Sequence, residues 1–134
     1  MLEIFEIAAK AIADPSRVRI LKLLENGELC VCQITAVLDL APATVSKHLA
    51  SLRTAGLLQQ RRDGKWVHYR LAERDLTPHA QRFLALVRTA LADDPKVAED
   101  RRLLARVNAV PVQVLCDQGR AALGPAEDRP ASCT

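Results

Sequence analysis

Two cysteines separated by one residue, Cys30-Val31-Cys32, are the first feature of this 134-residue chain whose spacing could do chemistry; Cys116 and Cys133 are the other two thiols. A thiolate is a soft donor that selects thiophilic ions over oxygen-loving ones, and it is the form in which cysteine reacts with oxidants. The apolar spacing of Ile34, Val37 and Leu38 predicts a helix from about Cys30 to Leu38. Its positive N-terminal end would favour the thiolate and lower the thiol pKa. Residues two apart on a regular helix diverge by about 200°, so both sulfurs meet one small ion only if the first turn unwinds or extends. Taken alone, the pair reads sooner as one or two small buried apolar groups, the usual fate of a free thiol, than as ligands.

The second chemical feature is charge. The net +3 is uneven, with +4 on residues 1–92 and −1 on the rest, and residues 41–70 hold six basic side chains (Lys47, Arg53, Arg61, Arg62, Lys65, Arg70) against the one acid Asp63. A basic stripe of this kind suits a polyanion, although a solvated charged face is its commoner meaning. On a helix from Pro42 to Ala55, Val45, Leu49 and Leu52 share one stripe, while Ala43, Thr44, Lys47, Ser51 and Thr54 point the other way. His48 falls beside the apolar stripe, and Ser46 and Lys47 complete a small, polar, basic face without acids.

The elements that must position these groups can be read from caps and periodicity. With 49% hydrophobic but only 3% aromatic residues, the core must be aliphatic, which favours packed helices in a chain of single-domain size. Phe5, Ala8, Ala9 and Ile12 mark a first helix, and Asp14-Pro15 stops it and opens a second that runs to about Glu25, with Ile20, Leu23 and Leu24 inward and Lys22 elsewhere. After the helix from Pro42, Leu57 to Arg62 and Lys65 to Leu71 read as two strands joined at Asp63-Gly64. Thr77-Pro78 opens a helix whose stripe of Ala80, Phe83, Leu84, Val87 and Leu91 has nothing obvious to cover it. With Phe5 and Ile12, that stripe predicts a homodimer interface.

Three helices, a tight turn into a polar-faced helix and a basic hairpin are the order of a winged helix-turn-helix, so the expected fold is mainly α with a small β-hairpin, assembled as a helical homodimer. In such a fold Thr44, Ser46, Lys47 and His48 would reach into the major groove of double-stranded DNA. Arg53, Arg61, Arg62 and Lys65 would meet its phosphates. Residues 1–92 are read as the DNA-binding and dimerisation domain. Residues 93–134 are read as one more helix, from Val97 to Val107, and a loosely structured tail over 108–134.

The segments Glu28-Leu29-Cys30-Val31-Cys32-Gln33-Ile34, Val45-Ser46-Lys47-His48-Leu49 and Gly64-Lys65-Trp66-Val67-His68-Tyr69-Arg70-Leu71 together resemble the arsenical-resistance repressor (ArsR/SmtB) family over about residues 5–91. The resemblance implies a transcriptional repressor that binds operator DNA as a homodimer. It also implies that Cys30 and Cys32 are thiolate ligands for trivalent arsenic or antimony, supplied as arsenite or antimonite, and that this inducer releases the DNA. Many members of this type carry a third cysteine three residues after the second, where this chain has Thr35. Cys116 is the available substitute if the tail brings it close; Cys133, one residue from the C-terminus, is a lesser candidate.

Other functions fit the residues less well. No Cys-x-x-Cys accompanies a βαβ pattern, and no Ser/His/Asp or Cys/His constellation appears with its usual local motif, so no enzyme and no organic cofactor are expected. A zinc- or cadmium-sensing repressor would call for added His or carboxylate ligands, and Asp75 and His79 have no second His pair downstream. A thiol-redox repressor on the same fold stays open. No apolar run approaches the length of a membrane span, and Glu3 and Glu6 interrupt the N-terminus, so a cytoplasmic protein without a membrane partner is expected.

Overall fold

Asp14 shows how local chemistry sets the helix boundaries: its Oδ1 accepts the N–H groups of Ser16 at 2.8 Å and Arg17 at 3.2 Å, while Pro15 takes the first helical position. Thr77-Pro78 and Asp94-Pro95 repeat the device. In the computed structural model, which describes residues 1–124, the helices are α1 (Leu2–Ala11), α2 (Pro15–Leu23), α3 (Val31–Leu38), α4 (Pro42–Thr54), α5 (Pro78–Thr89), α6 (Pro95–Asn108) and α7 (Val112–Gln118). The strands are β1 (Leu29–Cys30), β2 (Leu58–Asp63) and β3 (Trp66–Leu71). Short 3₁₀ turns follow α2 and α7. The result is a mostly helical winged helix-turn-helix with α3 and α4 as its helix pair.

Ile20, Leu21 and Leu23 of α2, Ile34 and Val37 of α3, and Val45, Leu49 and Leu52 of α4 are almost wholly buried and form the centre of the core. Val107 of α6 and Leu115 of α7 join that same cluster. Structure therefore continues to Leu123 where the sequence predicts a loose tail from residue 108. The seven-residue α7 buries only Leu115, too little for periodicity to announce a helix. The remainder of the predicted tail, with Cys133, lies outside the described residues.

Three further details differ from expectation. The wing is a three-stranded antiparallel sheet ordered β1-β3-β2, with Leu29 opposite Tyr69 and Cys30 opposite His68; two residues are too few to show a strand's alternation. The hairpin loop is Gly64-Lys65, one residue later than predicted, because Asp63 pairs with Trp66; Gly64 takes a φ of +62° at the first loop position. Lys22, placed off the apolar side by periodicity, is buried. Its Nζ donates to the carbonyls of Val87 at 3.1 Å and of Arg88 and Ala90 at 3.3 Å, and to Glu25 at 3.3 Å. The open end of α5 thus finds its partner in α2.

Part of the α5 stripe is also covered by its own chain. Ala80 and Val87 are buried in the core, Phe83 and Leu84 are half-buried, and Leu91 stands past the helix end with a φ of +64°. The large apolar side chains that stay exposed are Met1, Leu2, Ile4, Phe5 and Ile7 around α1, together with Leu86 and Leu91. Phe5 joins the two helices, its ring 5.7 Å from that of Phe83 and edge-on to His79 at 5.2 Å.

Candidate nucleic-acid interface and thiol site

Helix α4 presents Thr44, Ser46, Lys47 and Arg53 to solvent while Val45, Leu49 and Leu52 anchor its other side. His48 behaves differently. It is half-buried, with Nδ1 3.5 Å from Nη1 of Arg17, whose Nε and Nη2 donate to the carbonyls of Ala11 and Lys10 at 2.7 and 2.8 Å. Arg17 closes the end of α1 and His48 rests on it, so His48 sets the seating of α4 rather than its outer face. The charge of His48, when present, adds to the pull on Asp14: burial would raise the Asp14 carboxyl, but the Arg17 and Ser16 N–H groups and the two nearby cations hold it below its ordinary value.

On the wing, Arg62 and Lys65 are exposed, and Lys65 Nζ sits 4.9 Å over the Trp66 ring. Arg61 already has a partner. Its Nε donates to Glu28 at 3.2 Å and Nη2 to the other carboxylate oxygen, which holds the Glu28 carboxyl below its ordinary range and raises the guanidinium. His68 Nδ1 lies 3.8 Å from the same Glu28. Thr44, Ser46, Lys47, Arg53 and Arg62 are thus exposed on α4 and the wing, while Arg61 is already matched by the Glu28 carboxylate.

The thiols divide into a pair and a single. Cys32, in the first turn of α3, is joined by a disulfide to Cys116 of α7, 84 residues away, with their Cα atoms 5.1 Å apart. Cys30 is extended (φ −88°, ψ 164°) and caps α3 from outside the helix, so the predicted divergence of two helical side chains does not arise there. It is buried, its own N–H donates to Gln33 Oε1 at 2.9 Å, and its strand position opposite His68 ties it to the wing. Among the described residues, no group of three or more His, Cys, Asp or Glu side chains is gathered to hold a metal ion. The structure brings Cys32 and Cys116 together and keeps Cys30 apart.

A strap made of α7 and the turn after it holds α3 at both ends. Beyond Cys116, Arg120 Nε donates to the Ala36 carbonyl at 2.9 Å and Nη2 to the Val37 carbonyl at 2.7 Å, with Nη1 3.5 Å from Asp39. Asp39, at φ +56°, is the residue where the chain leaves α3 for α4. Gln33 Nε2 also donates to Asn108 of α6 at 3.2 Å. Sequence reading passed over Glu28, Gln33 and Arg120. For Gln33 the signal existed, since a Gln three residues after a cap position is half of a capping box; Glu28 and Arg120 carried none.

Residues 14–60 match the family described as bacterial regulatory protein, arsR family. The chain is 43% identical over 102 residues to the arsenical resistance operon repressor of Escherichia coli, an alignment covering 74% of this chain and 83% of that one. It is 50% identical over 66 residues to the arsenic resistance transcriptional regulator ArsR1 of Pseudomonas putida, covering 48% of this chain and spanning about half, 52%, of that relative. Among solved structures, it superimposes with a TM-score of 0.56 and 34% identity on the homodimeric winged helix-turn-helix DNA-binding domain of a possible ArsR-family regulator from Mycobacterium bovis. That match covers 65% of this chain and 77% of the other.

Proposed function

Because this chain belongs to the arsR family of bacterial regulatory proteins, DNA-binding transcriptional repressors with a winged helix, we propose that it holds operator DNA as a cytoplasmic homodimer and lets go when its thiolates bind trivalent arsenic or antimony. The observation that carries this reading is the meeting of Cys32 with Cys116 at the start of the first helix of the DNA-binding pair. Two sulfurs that can reach bonding distance of each other can both reach one soft, trivalent centre between them. When bound, the metalloid supplies a cross-link that reduction of the thiol pair would otherwise leave open.

The protein's own residues then relay the change. Cys32 follows Cys30 and Glu28 along one short segment, β1 is the third strand of the wing sheet, and Glu28 holds Arg61. A shift of the first turn of α3 is therefore felt by the wing, and through Arg120 and Asp39 by the turn into α4. Cys30 is a ligand in this scheme only if β1 gives up its pairing with β3. Dimerisation through the exposed apolar side of α1 with Leu86 would present two α4 helices to a pseudo-palindromic site. Among the described residues no helix is long and apolar enough to cross a membrane.

The disulfide itself favours a second reading, a repressor switched by oxidation of the same pair, in which two thiols lose two electrons and two protons to an oxidant. A divalent zinc or cadmium site has less support, since the pair lacks a gathered His or carboxylate set among the described residues. Operator release by arsenite, measured on full-length protein held reduced with a phosphine, separates the two. Release by arsenite without oxidation, lost in both Cys32→Ser and Cys116→Ser, supports the metalloid reading. Release by peroxide alone supports the redox one.

A further inference from the structure

Thr35 lies one helical turn beyond Cys32 in α3, and its hydroxyl oxygen is buried without a hydrogen-bond partner. A buried hydroxyl left unsatisfied costs free energy, and natural structures leave few of them. Thr35 follows Cys32 by three residues within α3, which puts it on the same side one turn on, with the two Cβ atoms about 5–6 Å apart. The strap spans that stretch of α3: Cys116 meets Cys32, and four residues later Arg120 meets the carbonyls of Ala36 and Val37. Thr35 therefore lies along the stretch of α3 that the strap covers.

We infer that Thr35 is the specificity-determining residue of a two-sulfur site, its hydroxyl hydrogen-bonding an oxygen that stays on the metalloid. The inference rests on the metalloid reading above. Reduction of the Cys32–Cys116 bond by two electrons and two protons, from a phosphine or a cellular thiol, gives two thiols. Arsenous acid, As(OH)₃, then exchanges two of its hydroxyls for the two sulfurs; two As–O and two S–H bonds break, two As–S bonds form, and two waters leave. One hydroxyl remains on arsenic, both donor and acceptor, and the Thr35 hydroxyl matches it. With Cys30 held in β1, the ligand class is a trivalent metalloid with one non-sulfur substituent.

The test uses full-length protein reduced with a phosphine, titrated with arsenite and with phenylarsine oxide, in wild type, Thr35→Val, Thr35→Ser and Thr35→Cys. Phenylarsine presents carbon at the third position, so Thr35→Val should weaken arsenite binding about tenfold, the worth of one good hydrogen bond, and leave phenylarsine binding unchanged. Thr35→Ser should restore arsenite binding, and Thr35→Cys should tighten it. X-ray absorption should find two sulfurs and one oxygen around arsenic in the wild type and three sulfurs in Thr35→Cys. Three sulfurs in the wild type, or equal arsenite affinity in wild type and Thr35→Val, overturns the inference. Failure of the reduced wild type to bind arsenite or phenylarsine removes the metalloid reading itself, and this inference with it.

Discussion

Glu28 and Arg61 bind each other across the wing, the guanidinium Nε at 3.2 Å from one carboxylate oxygen and Nη2 on the other. Glu28 lies two residues before Cys30 and Arg61 lies on the strand that would approach DNA, so the pair adds a side-chain link between the thiol segment and β2 to the backbone pairing of β1 with β3. Its strength depends on pH. The Glu28 carboxyl is lowered from 4.5, chiefly by Arg61, so its contribution to stability is complete above the ordinary carboxylate value and disappears as pH falls through the lowered one.

Glu28→Gln should therefore lose little against wild type at acid pH and most near neutrality, a difference seen by comparing urea midpoints between pH 3 and pH 7. The side chains are 27% and 53% exposed, which keeps the effect small. Equal midpoint differences at every pH would mean that the pair does not stabilise the fold.

Arg61 and Arg62 are predicted to differ although they are neighbours. Arg62→Ala and Lys47→Ala should each weaken operator binding and reduce the slope of log affinity against log salt by about one. Arg61→Ala should change the slope less, because its charge is already matched by Glu28. Fluorescence anisotropy at several salt concentrations measures both, and identical slopes for the three variants would refute the distinction.

Charged residues at Phe5 and Leu86 should give monomers, since both side chains are exposed and lie on the two helices expected at the dimer interface. Val87→Glu should instead unfold the chain, because Val87 is buried beside the Lys22 contact. Sedimentation of Phe5→Glu/Leu86→Glu at micromolar concentration, alongside circular dichroism of both variants, checks the contrast.

Lys22→Met should destabilise by about 3–5 kcal/mol, the cost of removing one partner from a buried charged network. The change strands the carbonyls at the end of α5 and leaves the Glu25 carboxylate with only Arg101, 3.7 Å away. Adding Glu25→Gln should recover part of the loss in urea denaturation; no recovery would assign the whole effect to the carbonyls.

Arg120→Ala should loosen the strap at the end remote from Cys116. Hydrogen exchange over residues 112–123 and at the Asp39 turn should rise, while exchange along α4 stays unchanged. Unchanged exchange would mean that Leu115 and the Cys32–Cys116 bond hold α7 in place without Arg120.

What the amino-acid sequence determined by itself were the features whose causes lie within a turn or two of the chain. Asp14-Pro15 and Thr77-Pro78 start helices because a carboxylate or hydroxyl reaches N–H groups two or three residues ahead, whereas Asp94-Pro95 opens α6 two residues before the Val97 start that periodicity predicts. The alternation of Val45, Leu49 and Leu52 with Thr44, Ser46 and Lys47 sets which side of α4 is buried, and the hairpin follows from strand pattern and glycine. Tertiary structure alone decided that Lys22 is buried, that Leu29 and Cys30 form a strand, that Arg61 faces Glu28, and that Cys116 reaches Cys32 while Cys30 does not. Each of these depends on a partner more than 30 residues away and leaves no local period. Burial of a lysine is paid for by three carbonyls on another helix, and the strand exists only because β3 offers an edge to a two-residue segment too short to declare itself.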